Sequence, residues 1–192
     1  MEFTPKMQRL IQSELQSFEQ ISWSGSPKAS RMAVKTLPIL LFGIPWTAFA
    51  LFWMAGASGF KIPDFSQPTG FFSLFGVPFV LIGTVMLSSP LWVMRKAAST
   101  AYVITTSRAL IFSPGAFGSV GIQSFLPDQL TGIRRVQLPD GSGDIIFGKK
   151  YSTDSEGSST ITDIGFFGVP DVKRVEERIR ALASTVRAGG DV

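Results

Sequence analysis

The chain has 192 residues, no cysteine and no histidine, and a net charge of only +4. Those absences exclude disulfides, thiol chemistry, Cys/His metal sites, and histidine-based triads or acid–base pairs. Beyond Met94, twelve Lys/Arg stand against ten Asp/Glu, so no clustered basic face marks a nucleic-acid binder.

Taken in chain order, "TPKMQRLIQSELQSFEQI" comes first. It puts Met7, Leu10, Ile11, Leu15 and Phe18 on one face at helical spacing, with Thr4 and Pro5 as the start. The opposite face is not strongly basic, which favours docking on the C-terminal domain or a neighbouring subunit over lying on lipid. "ISWSGSPKASR" then reads as a turn-rich connector anchored by Trp23. Residues 1–35 are thus expected to form an amphipathic helix and connector.

Residues 36–60 and 65–94 carry no charged side chain. Each run is long enough to cross the hydrocarbon core, and together they predict a two-span hairpin over 36–96. Polar helix-like sequence precedes the first run, unlike a secretory signal. Lys28, Arg31 and Lys35 precede the hairpin and Arg95, Lys96 and Arg108 follow it, while "GFKIPDFSQPTG" between the spans is nearly neutral. This bias places both termini in the cytoplasm. Gly43, Ala50 and Ala57 in the first span, and Gly76 and Gly83 in the second, form small-residue stripes where the spans are expected to meet.

From residue 100 the pattern becomes β. "TAYVITTSRALIFS" gives two alternating strands with Tyr102, Ile104, Leu110 and Phe112 as the expected inward residues. "GSVGIQSFLP" gives a third. "TGIRRVQL" and "GDIIFGKK" flank a Pro-Asp-Gly-Ser-Gly hairpin turn. "STDSEGSST" is polar and turn-like, and "TITDIGFFGV" is the last strand. A helix closes the chain, with Pro170 in its first turn and Val172, Val175, Ile179, Leu182 and Val186 as its apolar stripe. One of Phe166 and Phe167 should enter the core while the other faces the helix or the exterior, because adjacent strand residues point opposite ways.

Four pieces in this order, "SWSGSP", "YVITTSRALIF", "GDIIFG" and "GFFGVPDVKRVEERI", resemble the bacterial PH-domain membrane proteins, in which two spans precede a bacterial pleckstrin-homology domain. That family more often has Arg where this chain has Ser26. The resemblance implies a membrane α-helical hairpin plus a cytoplasmic, mainly-β PH-like barrel closed by a C-terminal helix over 97–192. It also implies a bacterial inner-membrane location, a tendency to homo-oligomerise, and no established reaction.

The expected function is therefore a non-enzymatic, membrane-anchored module for homo-oligomeric assembly or scaffolding. The alternatives are an adaptor sensing anionic lipid headgroups, or an accessory subunit of a membrane transporter or enzyme. No catalytic, cofactor-binding or metal-binding residue is expected, because no pair of carboxylates reads as a pocketed acid–base couple and "DGSGD" lacks the spacing of a calcium loop. Candidate headgroup contacts are Arg108, Arg134, Arg135, Lys149 and Lys150. Candidate partner or oligomer contacts are Phe167, Val172, Val175, Ile179 and Leu182. The partners expected are membrane lipid, further copies of the chain and a possible protein partner, not nucleic acid.

Overall fold

A computed structural model describes residues 3–61, 71–153 and 157–189, the side chains of 186–189 excepted. The chain divides into two compact units, one made of residues 1–31 and 95–192, the other of residues 32–94.

In the first unit, helix α1 (Pro5–Glu14) starts where Thr4 accepts the Met7 N–H on its hydroxyl. Strand β1 (Ile21–Gly25) follows, then the first half of the short helix α2 (Ala29–Val34), whose second half belongs to the other unit. After the second unit come β2 (Ala101–Thr105), β3 (Ala109–Pro114), β4 (Val120–Phe125), β5 (Arg134–Gln137), β6 (Gly143–Thr153) and β7 (Ser159–Val169). A C-terminal helix over Val172–Gly189 ends the described chain. The strands form two antiparallel sheets in the orders β1-β2-β3-β4 and β5-β6-β7.

Three expectations are corrected here. Among the described residues the strands do not close into one barrel, because β4 and β5 do not pair. The 3-10 turn Pro127–Gln129 stands between them. "SWSG" is strand rather than connector: Trp23 pairs with Ile104 and Gly25 with Tyr102. The segments before and after the two apolar helices therefore enter one sheet, and the first unit includes the segment expected to stand apart. Finally, the four expected inward residues are all buried, but Tyr102 and Ile104 do not share a face with Leu110 and Phe112. In the β2–β3 register Tyr102 opposes Ile111 and Val103 opposes Leu110, so the two pairs lie on opposite sides of the sheet.

Both sides of that sheet are buried. On one side Tyr102, Ile104, Ala109 and Ile111 join Ile145, Phe147 and Phe166 of the second sheet, together with the C-terminal helix. On the other, Ala101, Val103, Leu110 and Phe112 are covered by Phe3, Met7, Leu10 and Ile11. The amphipathic face of α1 thus docks on the domain. The helix stops at Glu14, Leu15 is extended, and Phe18 is fully exposed at φ 71°, outside the expected stripe.

Phe166 is the aromatic centre of the main core. Tyr102 stacks on it at 4.6 Å, Trp23 lies against it at 6.0 Å, and Phe147 meets it edge-on at 5.4 Å. The Trp23 ring lies across Gly25, where a Cβ would come within 2.6 Å of it. Gly25 thus gives the tryptophan its place in the core. Arg178 reaches back to the Ser22 carbonyl at 2.7 Å, fastening the C-terminal helix to β1.

The second unit holds helix α3 (Leu37–Ala57), a 3-10 turn (Ser73–Gly76), and most of helix α4 (Val77–Ala98). The segments Leu37–Ala57 and Ser73–Ala98 are long and apolar enough to cross a membrane. Leu41, Phe49, Phe52, Leu81 and Val85 point outward in this unit, an apolar surface that needs lipid or another covering. Most of the loop between the spans, residues 62–70, lies outside the described residues, as do Asp154 and Glu156 of the β6–β7 turn.

Candidate functional site

Arg108, the first candidate headgroup contact, is committed inside the protein. Its Nε donates to Glu19 Oε1 at 2.9 Å and its Nη2 to Glu19 Oε2 at 3.1 Å. The Glu14 carbonyl accepts from the same Nη2 at 2.6 Å. Thr105 Oγ1 donates to Glu19 at 2.7 Å, and the Gln16 N–H donates at 2.8 Å. The Glu19 side chain is only 1% exposed. Burial alone would raise its pKa, but the Arg108, Gln16 and Thr105 hydrogen bonds and the Arg108 charge outweigh burial and lower it to about 2. This arrangement joins the α1–β1 segment to the β2–β3 turn and leaves little of Arg108 for a ligand.

The remaining basic candidates do not converge. Arg134 and Arg135 sit side by side on β5. Arg134 pairs with Asp163 at 3.2 Å, and Arg135 with Glu176 of the C-terminal helix at 2.8 Å. Lys149 and Lys150 are exposed on the outer half of β6, opposite Asp163 and Thr162.

The expected partner stripe is also spent internally. Val172, Val175, Ile179 and Leu182 are buried in the main core. This corrects their assignment as oligomer contacts: a single-layer sheet needs its inner face covered, and this helix covers it. Val186 lies outside the described side chains. Phe166 is fully buried and Phe167 half-buried; the Phe167 N–H donates to Tyr102 Oη at 3.2 Å. Burial pushes the Tyr102 pKa up to about 12, with the Asp144 charge adding to the rise against the Phe167 hydrogen bond. Asp144 accepts the Gly168 N–H at 2.7 Å. The helix begins at Val172, two residues after Pro170, with Asp171 at φ 49° in the turn. Asp140 accepts from the Ser142 hydroxyl and N–H, and Lys28 pairs with it; these hold its pKa down at about 2 and pin the β5–β6 turn.

In the span unit the small residues face the other helix. A Cβ on Gly43 would meet Met86 Cβ at 3.0 Å. One on Gly83 would overlap the Thr47 hydroxyl, and one on Gly76 would overlap Met54. Ala50 is buried. Trp46 Nε1 donates across the pair to the Phe79 carbonyl at 3.1 Å.

Sequence reasoning did not single out two surfaces as wholes, naming only Lys149 and Lys150 from the first. One is the outer half of the β6–β7 hairpin, where Lys149–Thr153 and Ser159–Thr162 are all exposed. Tyr151 pairs there with Ile161, beside Lys149 opposite Asp163. Alternation across a strand puts all four side chains on one face. The other is a groove of ≈ 680 Å³ between α1, the segment Ala98–Thr100 and the β3–β4 turn, with Lys6 and Arg9 on its rim. The sequence signal for the first was the alternation in "KKYST" and "STITD". The second joins three segments distant in the chain and had none.

Among the described residues no three carboxylates gather as metal ligands would. No protein-family model matches this chain, and neither a curated protein nor a solved structure is significantly similar to it.

Proposed function

We propose that this chain is a non-enzymatic, membrane-anchored module whose PH-like domain acts in homo-oligomeric assembly at the cytoplasmic face of a bacterial inner membrane. A four-stranded and a three-stranded antiparallel sheet on a common core, closed by a C-terminal helix, supports the PH-like reading. Lys28, Arg31, Lys35, Arg95 and Lys96 beside the two apolar helices support cytoplasmic termini.

The observation that carries the assembly reading is the outer β6–β7 ribbon. A two-stranded ribbon with both faces in water is marginal alone. Here one face presents the exposed Tyr151–Ile161 pair, 72% and 56% accessible, next to a lysine and an aspartate. Such a patch is self-complementary about a two-fold axis: the apolar pair meets its copy, and each Lys149 faces the other chain's Asp163, which stays 36% exposed beside its own Arg134.

The test is the mass of the detergent-solubilised full chain. The native chain is expected to run as a small multiple of the protomer. The Tyr151→Ser/Ile161→Ser variant is expected to run as a folded monomer. A native monomer, or a double variant that stays oligomeric, refutes assembly through this ribbon.

A further inference from the structure

We propose that the groove between α1 and the β3–β4 turn seats acidic phospholipid headgroups, and that Phe117 at the tip of that turn enters the bilayer interface. The inference rests on the membrane-anchored reading above and goes beyond it by naming a lipid-binding face of the soluble domain.

Sheet topology locates the turn. β1 ends at Gly25 opposite Tyr102, Ala101 opposes Phe112, and Pro114 opposes Val120. The Gly115–Ser119 turn therefore lies at the end of the sheet where the chain leaves for the hairpin and returns from it. The groove itself is lined by Ala98 and Ser99, and the apolar run ends at Met94. Four residues of helix cover only ~6 Å.

Phe117 is fully exposed and sits at φ 54°, ψ 30°. A bulky side chain in the left-handed region is unfavourable, and so is an aromatic ring left in water. Both costs are offset if the strained turn directs the ring into an apolar phase. Phe18 has the same exposure and a φ of 71°. It lies at the opposite end of the sheet, near Thr106, whose N–H donates to the Gln20 carbonyl at 2.9 Å.

Charge selects the lipid. Lys6 and Arg9, one turn apart on α1, make no ion pair or side-chain hydrogen bond among the described residues. Among the described residues no carboxylate lines the groove, whereas the Ser99 and Ser119 hydroxyls do. Arg95 and Lys96 stand exposed just upstream in the chain. Four cations with no ion pair among the described residues, two lining the groove and two just before it in the chain, suit an anionic leaflet. Arg108, Lys149 and Lys150 do not join them: Arg108 lies at the β2–β3 turn and the two lysines on the outer ribbon, away from the chain's route to the hairpin.

The chain contains no cysteine, so Phe117→Cys and Phe18→Cys each give one nitroxide site in the full chain. The labelled chain is reconstituted in vesicles of phosphatidylcholine alone or mixed equally with phosphatidylglycerol. Accessibility to oxygen and to an aqueous nickel complex reports depth. The label at 117 is expected to be shielded from nickel and open to oxygen in the mixed vesicles, more so than in phosphatidylcholine, while the label at 18 stays aqueous in both. Adding Lys6→Gln and Arg9→Gln is expected to shift the seated-to-free ratio roughly thirtyfold toward the aqueous state, about fivefold per cation. An aqueous label at 117 in the mixed vesicles overturns the proposal, as does burial that ignores both lipid charge and the two substitutions. Vesicle flotation separates the two readings. A chain that does not float refutes the anchored reading, whereas a floating chain with an aqueous residue 117 refutes only the lipid face.

Discussion

Replacing Arg108 with alanine removes both guanidinium bonds from a carboxylate whose side chain is 1% exposed. Breaking a buried pair by deleting one partner costs about 3–5 kcal/mol, because the remaining charge stays buried and uncompensated. The lowering of the Glu19 pKa from 4.5 to about 2 points to the same order, about 3 kcal/mol at ~1.4 kcal/mol per pKa unit. The sign follows from linkage. The folded carboxylate binds its proton less readily than the unfolded one, so its contribution is complete above the unfolded pKa of 4.5 and disappears as pH falls through about 2. Hydrogen–deuterium exchange of the detergent-solubilised full chain reads this at Ala101–Thr105. If these amides exchange through opening of the first unit, Arg108→Ala should speed their EX2 exchange by about two orders of magnitude at neutral pH. Glu19→Gln, which keeps the shape and most of the bonds, should cost clearly less. Equal exchange in Arg108→Ala and the native chain would refute the reasoning, as would a variant penalty undiminished at pH 2.

Phe166→Ala should destabilise the first unit by about 3–5 kcal/mol, since Tyr102, Trp23 and Phe147 all lose their contact. Phe167→Ala should cost clearly less; thermal melts of the full chain compare the two, and equal losses would refute this ranking. Gly83→Leu should separate the span helices at Thr47 and lower thermal stability in detergent, while Gly56→Leu, whose Cβ would meet nothing within 4 Å, should be close to neutral. Between pH 4 and 2, loss of the Lys28–Asp140 pair and the Ser142 bonds should loosen the β5–β6 turn. The reason is that Asp140 is held well below its ordinary value of 3.8. Exchange at Gly141–Gly143, unchanged across that window, would count against it.

Local signals carried most of the elements. Strands β2 to β7 announce themselves by alternation and turn residues, and α1 and the C-terminal helix by apolar spacing. β1 did not, because Ser and Gly make "SWSG" a poor strand by propensity. Its partner β2 lies on the far side of the hairpin, and non-local pairing leaves no local trace. The candidate site was less legible for the same reason. Arg108 reads as an exposed turn cation until Glu19, brought over from the other side of the spans, neutralises it. The apolar stripe on the last helix looks the same whether a partner or the chain's own sheet covers it.

The sequence by itself determined the two apolar runs, the lack of Cys and His chemistry, and the order of strands β2 to β7 and the final helix, because each follows from composition or local periodicity. Tertiary structure alone decided which cations are paired among the described residues, that the first strand joins the β2 edge of a sheet, and which faces stay open. Those depend on distances between residues far apart in the chain, and a linear pattern holds no such distances.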